Sequence, residues 1–275
     1  MVKFPNCKIN LGLNIINKRP DGYHDLETVF YPIFIKDILE IITVQDQNES
    51  GNIVYTASGI PVDGALSNNL CCKAYELLKK DFPQLPGIKM HLHKNIPMGA
   101  GLGGGSADAA FTLTLLNQKY QLGLNQPQLI EYALQLGSDC PFFILNKPCL
   151  GKGRGELLSE IELDLGNYQF LIVNPGIHIS TAWAFSNIQP APALYPIEET
   201  ILIPIGQWKG MLKNDFEEPV IKEFPAIGEI IHQLYQSGAI YAAMSGTGST
   251  VFGIYPKGPI NPPKFPIQYF TELVD

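Results

Sequence analysis

From Lys8 to Ile15 polar and apolar residues alternate, with Ile9, Leu11, Leu13 and Ile15 on one side. That period predicts a half-buried strand. Asn17 to Gly22 carries turn chemistry, and Thr28 to Ile35 and Ile38 to Val44 read as two further strands. Leu66 to Lys80 predicts a helix with Leu70, Ala74, Leu77 and Leu78 on one face. Ile88 to His93 alternates again as a strand. Ala109, Leu113, Leu116 and Tyr120 then recur at helical spacing, with Ser106 as the N-cap. A second helix is predicted over Pro127 to Leu136, with Pro near its start and Gly137 just past its end. Ser138 to Pro141 turns into the apolar run Phe142 to Leu145.

Near Leu150 the texture changes to the glycine-punctuated stretch Gly151 to Glu156, which places a domain boundary there, with residues 1–152 on one side and 153–275 on the other. Beyond it the pattern predicts strands at Tyr168 to Val173, Tyr241 to Met244, Val251 to Tyr255 and Gln268 to Val274. Helices are predicted at Thr181 to Ser186, Gly206 to Lys213 and Pro219 to Tyr235. Pro190 to Pro196 and Pro256 to Pro266 are proline-rich loops. Helices and strands mix in both halves without strict βαβα alternation, so the class is α+β.

The strand at Ile88 leads into Pro97-Met98-Gly99-Ala100-Gly101-Leu102-Gly103-Gly104-Gly105-Ser106-Ala107, five glycines abutting a helix. Glycine allows φ > 0 and close approach of the backbone. A helix N-terminus adds unpaired N–H groups and a positive dipole end. Together they form a cradle for a phosphate. Gly99-Ala100-Gly101-Leu102-Gly103-Gly104 formally fits the dinucleotide fingerprint, but Pro97 separates it from its strand and no acidic residue closes a βαβ unit. A Walker A loop is excluded because no Lys precedes Ser106.

Composition narrows the chemistry further. The chain has 275 residues, 45% of them hydrophobic, enough for one large domain or two ordinary ones. A net charge of -7 with only two arginines, Arg19 and Arg154, removes the basic footprint that nucleic-acid binding requires. Lysines and backbone amides must therefore carry any phosphate contact. Five cysteines without metal spacing read as reduced thiols. With no leader-like run and no apolar stretch of membrane-spanning length, a cytoplasmic protein without membrane contact is expected.

Other positions divide between structural and chemical readings. Asp139, before a Pro-led turn, is by itself a cap or Asx-turn; the alternative is a general base for a hydroxyl proton. Lys8 by itself is a strand-edge residue; the alternative is a cation beside a reacting hydroxyl. Tyr23 and His24, just after Asp21-Gly22, either decorate a hairpin or stack on a base and read its edge. Met244 to Thr250 is either a tight hairpin or a loop packed against the first glycine segment.

Six segments in order resemble the GHMP kinase superfamily. They are Lys8 to Leu11, Asp21 to Thr28, Pro97 to Ala110, Gly137 to Phe143, Asn214 to Glu217 and Met244 to Thr250. The resemblance implies a ribosomal-protein-S5-domain-2-like N-terminal part and a ferredoxin-like C-terminal part. It implies ATP, accompanied by Mg²⁺, as phosphoryl donor, and a cytidine-diphosphate-linked methylerythritol of isoprenoid precursor synthesis as the small-molecule acceptor. Pro97 to Ala107 would hold the triphosphate, with Lys8 and Asp139 catalytic. Asn10, Tyr23, His24, Thr181 and Phe185 would bind substrate, Tyr23 and Phe185 on the faces of cytosine and His24 at its edge. Metal ligands are left unassigned, although Ser106 and Asp108 lie nearby in sequence; Asp108 also fits a first-turn acid complementing the helix dipole. A monomer or weak dimer is expected. Lys147 fits the basic position that often follows the catalytic Asp.

Overall fold

The computed structural model describes residues 1–44, 53–61 and 68–275. In chain order the strands and helices begin with β1 (Val2–Lys3), β2 (Asn6–Lys18), β3 (His24–Lys36), β4 (Ile38–Thr43) and β5 (Ile53–Gly59). Next come α1 (Leu70–Asp81), β6 (Ile88–Lys94), α2 (Gly104–Tyr120), α3 (Gln126–Leu136) and α4 (Cys140–Leu145). Then follow β7 (Cys149–Lys152), β8 (Leu157–Glu160), β9 (Tyr168–Asn174), α5 (Thr181–Ser186) and α6 (Ile197–Thr200). The chain ends with α7 (Glu217–Glu223), α8 (Pro225–Gln236), β10 (Tyr241–Met244), β11 (Val251–Pro256) and β12 (Phe270–Val274). Two compact units result, interleaved along the sequence. The first holds Met1–Cys7, Ile35–Met98 and Gly103–Asn146; the second holds Lys8–Phe34, Gly99–Leu102 and Lys147–Asp275.

In the first unit the sheet runs β1-β4-β6-β5, antiparallel except for the parallel pair β5–β6. One face of this sheet supplies Leu39, Ile41, Ile88, Met90 and Leu92 to the core. These pack with Ala74 and Leu78 of α1, Leu113 and Leu116 of α2, and Ala133 of α3. Each such aliphatic side chain contributes about 1.5–3 kcal/mol through burial. Asn69 caps α1, accepting the Cys71 N–H at 2.9 Å; the predicted start near Leu66 lies outside the described residues. A reciprocal Asn125/Gln128 capping box starts α3. The α2 N-terminus differs from expectation. Gly103, at φ 69°, is its N-cap and Ser106 already lies inside the first turn. A left-handed cap position selects glycine over serine.

The second unit has the sheets β2-β3-β7-β8 and β10-β11-β9-β12, the latter wholly antiparallel. Ile227, Ile230 and Leu234 of α8 bury against a core that includes Leu171, Val173 and Met244. The predicted helix Pro219 to Tyr235 is two helices, broken at Phe224 with φ -125° and ψ 77°. Pro225 explains the break, since it lacks an N–H and pushes the preceding residue out of the helical region. Gly206 to Lys213 shortens to one turn of 3₁₀ helix at Ile205–Gln207. Pro204 fixes its start, and Gly210 at φ 82° ends any helical path. Gly151 to Glu156 lies in the β7–β8 hairpin.

Strand β2 departs most from its pattern. Asn6 to Asn14 are buried on both faces, polar residues included. Its polar side chains have protein partners that offset much of their desolvation, as Asn14 Nδ2 donates to Asp215 at 3.3 Å, although Asn14 Oδ1 is buried without a hydrogen bond. The five cysteines are buried and form no disulfide. No helix among the described residues is long and apolar enough to cross a membrane.

Candidate active site

In the second unit Lys8 is buried at 3% exposure. Its ammonium donates to Asn10 Oδ1 and, at 2.9 Å, to the Gly101 carbonyl. It also lies 5.4 Å from the Phe30 ring centre. The expectation of a solvated edge lysine is thus replaced by a lysine held at a fixed point. Asn10 is equally enclosed, and its Nδ2 donates to Thr28 Oγ1 at 2.9 Å. Its amide therefore engages Lys8 and Thr28.

Residues Gly99 to Leu102 belong to the same unit. A Cβ on Gly101, at φ 79°, would come within 2.0 Å of the Ser245 carbonyl oxygen, so only glycine fits. Ser245 Oγ donates to the Gly101 carbonyl at 2.8 Å, and the Thr250 N–H donates to Ala100 O at 3.2 Å. The second glycine-rich segment is thus both the turn of the β10–β11 hairpin and packed against the first. Asn214 holds it from below, donating from Nδ2 to the carbonyls of Met244 and Gly246, both at 2.8 Å. Glu217 accepts the Met244 N–H at 2.6 Å. Burial pushes the Glu217 carboxyl up to about 7, with that hydrogen bond opposing.

The aromatic residues of this unit assemble in part as expected. His24 stacks on Phe185 with centroids 4.9 Å apart, and Phe185 meets the edge of Phe216. Burial and, to a lesser extent, the charge of Lys18 lower the His24 imidazole from its ordinary value, which favours the neutral ring. Tyr23 is 56% exposed and lies under the Arg154 guanidinium at 4.9 Å. The ring against Phe185 is thus that of His24, while Tyr23 pairs with Arg154. Thr181 is exposed at the first position of α5. Lys147 forms an exposed ion pair with Glu160 at 2.9 Å.

In the first unit the 17-residue helix α2 opens at Gly103 without a side-chain cap. Its first-turn N–H groups have no acceptor within the helix. A Cβ on Gly105 would meet nothing within 4 Å, so this face is open. An uncapped helix start with glycine on its open side fits an anionic phosphate. Ala107 is buried and its N–H is bonded to Gly103 O at 2.9 Å. Pro97 is buried and Met98 is 45% exposed. The chain entering Pro97 is fixed by Asp37, whose Oδ1 accepts the N–H groups of Asn95 at 2.6 Å and Ile96 at 2.9 Å. Lys94, also buried, bridges Asp37 and Asp108, the latter at 2.7 Å. Asp108 is therefore a buried ion-pair partner beyond the first turn of α2, not a dipole-complementing acid. Asp139 occupies the N-cap position of α4, half-buried, and its side chain makes no capping bond. The position is thus the one that the cap reading expects, without the side-chain bond of a cap. Among the described residues no group of three or more His, Cys, Asp and Glu is arranged to hold a metal ion.

Asp37 and Lys94 escape a reading of motifs, and Thr28 ends a motif segment that gives it no role. Lys94 leaves a signal, since it shares strand parity with Ile88, Met90 and Leu92 and so points with them into the core.

Comparison with known proteins adds family-level findings. The family model "GHMP kinases N terminal domain" matches residues 69–147, and "GHMP kinases C terminal" matches residues 202–261. The 4-diphosphocytidyl-2-C-methyl-D-erythritol kinase of Bacteroides fragilis (strain YCH46) is 52% identical, over 93% of this chain and 92% of the relative. That of Azobacteroides pseudotrichonymphae is 50% identical, over 98% of this chain and 100% of the relative. The crystal structure of a 4-(cytidine 5'-diphospho)-2C-methyl-D-erythritol kinase superposes with a TM-score of 0.79 at 30% identity, covering 94% of this chain and 91% of that one.

Proposed function

Because the chain belongs to the GHMP kinases, and within them to the 4-diphosphocytidyl-2-C-methyl-D-erythritol kinases, we propose that it transfers the γ-phosphoryl of ATP to the 2-hydroxyl of that cytidine-linked alcohol. The reaction serves isoprenoid precursor synthesis in the cytoplasm. The observation that carries the reading, beyond kinship, is the uncapped α2 N-terminus with an open glycine beside it. Phosphoryl transfer needs positioning and charge neutralisation more than covalent chemistry, and an arginine-poor chain supplies these with backbone N–H groups and lysine.

The segment Pro97 to Ala107 holds the triphosphate, with the N–H groups of Gly104, Gly105 and Ser106 as the main donors. Asp139 accepts the hydroxyl proton. Lys8 offsets the negative charge that grows as the proton leaves. Asn10 serves the same substrate group through Lys8, which its Oδ1 holds. Tyr23, His24, Thr181 and Phe185 form the cytidine side, and neutral His24 can donate and accept at the base edge. Mg²⁺ comes with the nucleotide and neutralises phosphate charge. We put the boundary between the two family domains at Lys152, a position compatible with the matches at 69–147 and 202–261.

The test is ADP release by the purified protein with Mg-ATP, with and without 4-diphosphocytidyl-2-C-methyl-D-erythritol. Release should require the alcohol. Asp139→Asn should lower kcat by about 10²–10⁴-fold while ATP affinity stays nearly constant. ADP release independent of the alcohol overturns the substrate, and an unchanged kcat in Asp139→Asn overturns the base.

A further inference from the structure

We propose that Thr28 is a positioning residue for Lys8, acting through the amide of Asn10; this rests on the reading of Lys8 given above. Thr28 is fully buried on β3, and its hydroxyl has a single proton, which it donates to the Gly12 carbonyl. Gly12 sits at φ 69°, and a Cβ there would come within 2.6 Å of Leu212. The acceptor for Thr28 is therefore built on a residue that must be glycine. With its proton committed, Thr28 Oγ1 can only accept. The group that reaches it is Asn10 Nδ2, at 2.9 Å.

An amide whose nitrogen is fixed on one side must present its oxygen on the other. Asn10 Oδ1 accepts from the Lys8 ammonium. The flipped amide would set N–H against ammonium, donor facing donor, and would set its oxygen against a hydroxyl with no proton left to give. One threonine hydroxyl thus selects one of two amide orientations, and that orientation holds the ammonium. The Gly101 carbonyl supplies the second point of attachment. Lys8, Asn10 and Thr28 are all nearly inaccessible to water, so no solvent competes for these bonds.

Thr28→Val keeps the shape and removes the hydroxyl, and Thr28→Ser keeps the hydroxyl. Thr28→Val should lower kcat about tenfold or more with KM for ATP and for the alcohol within about twofold. Thr28→Ser should restore kcat to within about threefold of the parent. In a Lys8→Met background Thr28→Val should cause no further loss of the residual rate, because the residue it positions is gone. An unchanged kcat in Thr28→Val, or the same fold-loss in both backgrounds, overturns the proposal. Should Thr28→Val fail to fold by thermal melting, Thr28→Ala carries the same cycle. A Lys8→Met enzyme with parental kcat would instead sink the reading of Lys8, so the two failures are distinguishable.

Discussion

Two buried lysines are held by different kinds of group. Lys94 lies between two carboxylates, those of Asp37 and Asp108. Lys8 is held by an amide oxygen, a backbone carbonyl and the Phe30 ring. Carboxylates cancel an ammonium's charge as they position it. Neutral oxygens fix its position without themselves cancelling that charge. The first arrangement suits a strut. Through Asp37 it fastens Asn95 and Ile96, and through Asp108 it fastens α2, on the two sides of the glycine-rich segment. The second arrangement suits a group that must act on charge developing during a reaction.

The contrast fails first at Lys94 if it is wrong. Lys94→Met leaves Asp37 and Asp108 facing each other in a site closed to water, and should cost about 3–5 kcal/mol of stability in denaturant unfolding. Lys8→Met should cost less, about 1–3 kcal/mol, because it takes the ammonium donor away from the Asn10 amide oxygen and from a Gly101 carbonyl that Ser245 Oγ still reaches. It should nevertheless lower kcat by about 10²–10³-fold, the scale for removing one positioned electrostatic group. Equal stability losses in the two variants would erase the distinction, as would a Lys8→Met enzyme with parental kcat.

Sequence made these two lysines legible to different degrees. The glycine segment is readable because positive φ and close approach leave no other residue possible, as Gly101 against the Ser245 carbonyl illustrates. Lys8 gains its role only by resemblance, because alternation alone makes β2 a half-buried strand. Its polar face is buried by partners distant in sequence, Thr28 at 18 residues from Asn10 and Ser245 at 235. Lys94 is readable by parity, but its partners are not, since Asp37 and Asp108 lie 57 and 14 residues away. The pairing of His24 with Phe185 follows from how α5 is placed in the second unit, which local pattern does not encode. The break at Pro225 is encoded locally, but the apolar periodicity of Pro219 to Tyr235 runs through it and masks the proline.

The finest test separates the two carboxylates of Lys94. Asp108 is pushed up to about 7 chiefly by burial, with Asp37 adding to the shift and Lys94 opposing it. Its Oδ1 is buried without a hydrogen-bond partner. A carboxyl raised in the folded state favours folding fully only below its unfolded value, near 3.8, and that contribution is lost as pH rises through about 7. Asp108→Asn removes the group that titrates and leaves the Lys94–Asp37 pair one to one. The variant should therefore gain about 1–2 kcal/mol relative to the parent at pH 8.5 and little or nothing at pH 5. Urea unfolding of both proteins at the two pH values measures the difference. A parent–variant gap that stays constant from pH 5 to pH 8.5 would mean that Asp108 remains ionised throughout. Lys94 would then serve both carboxylates equally, and the strut would need both of them.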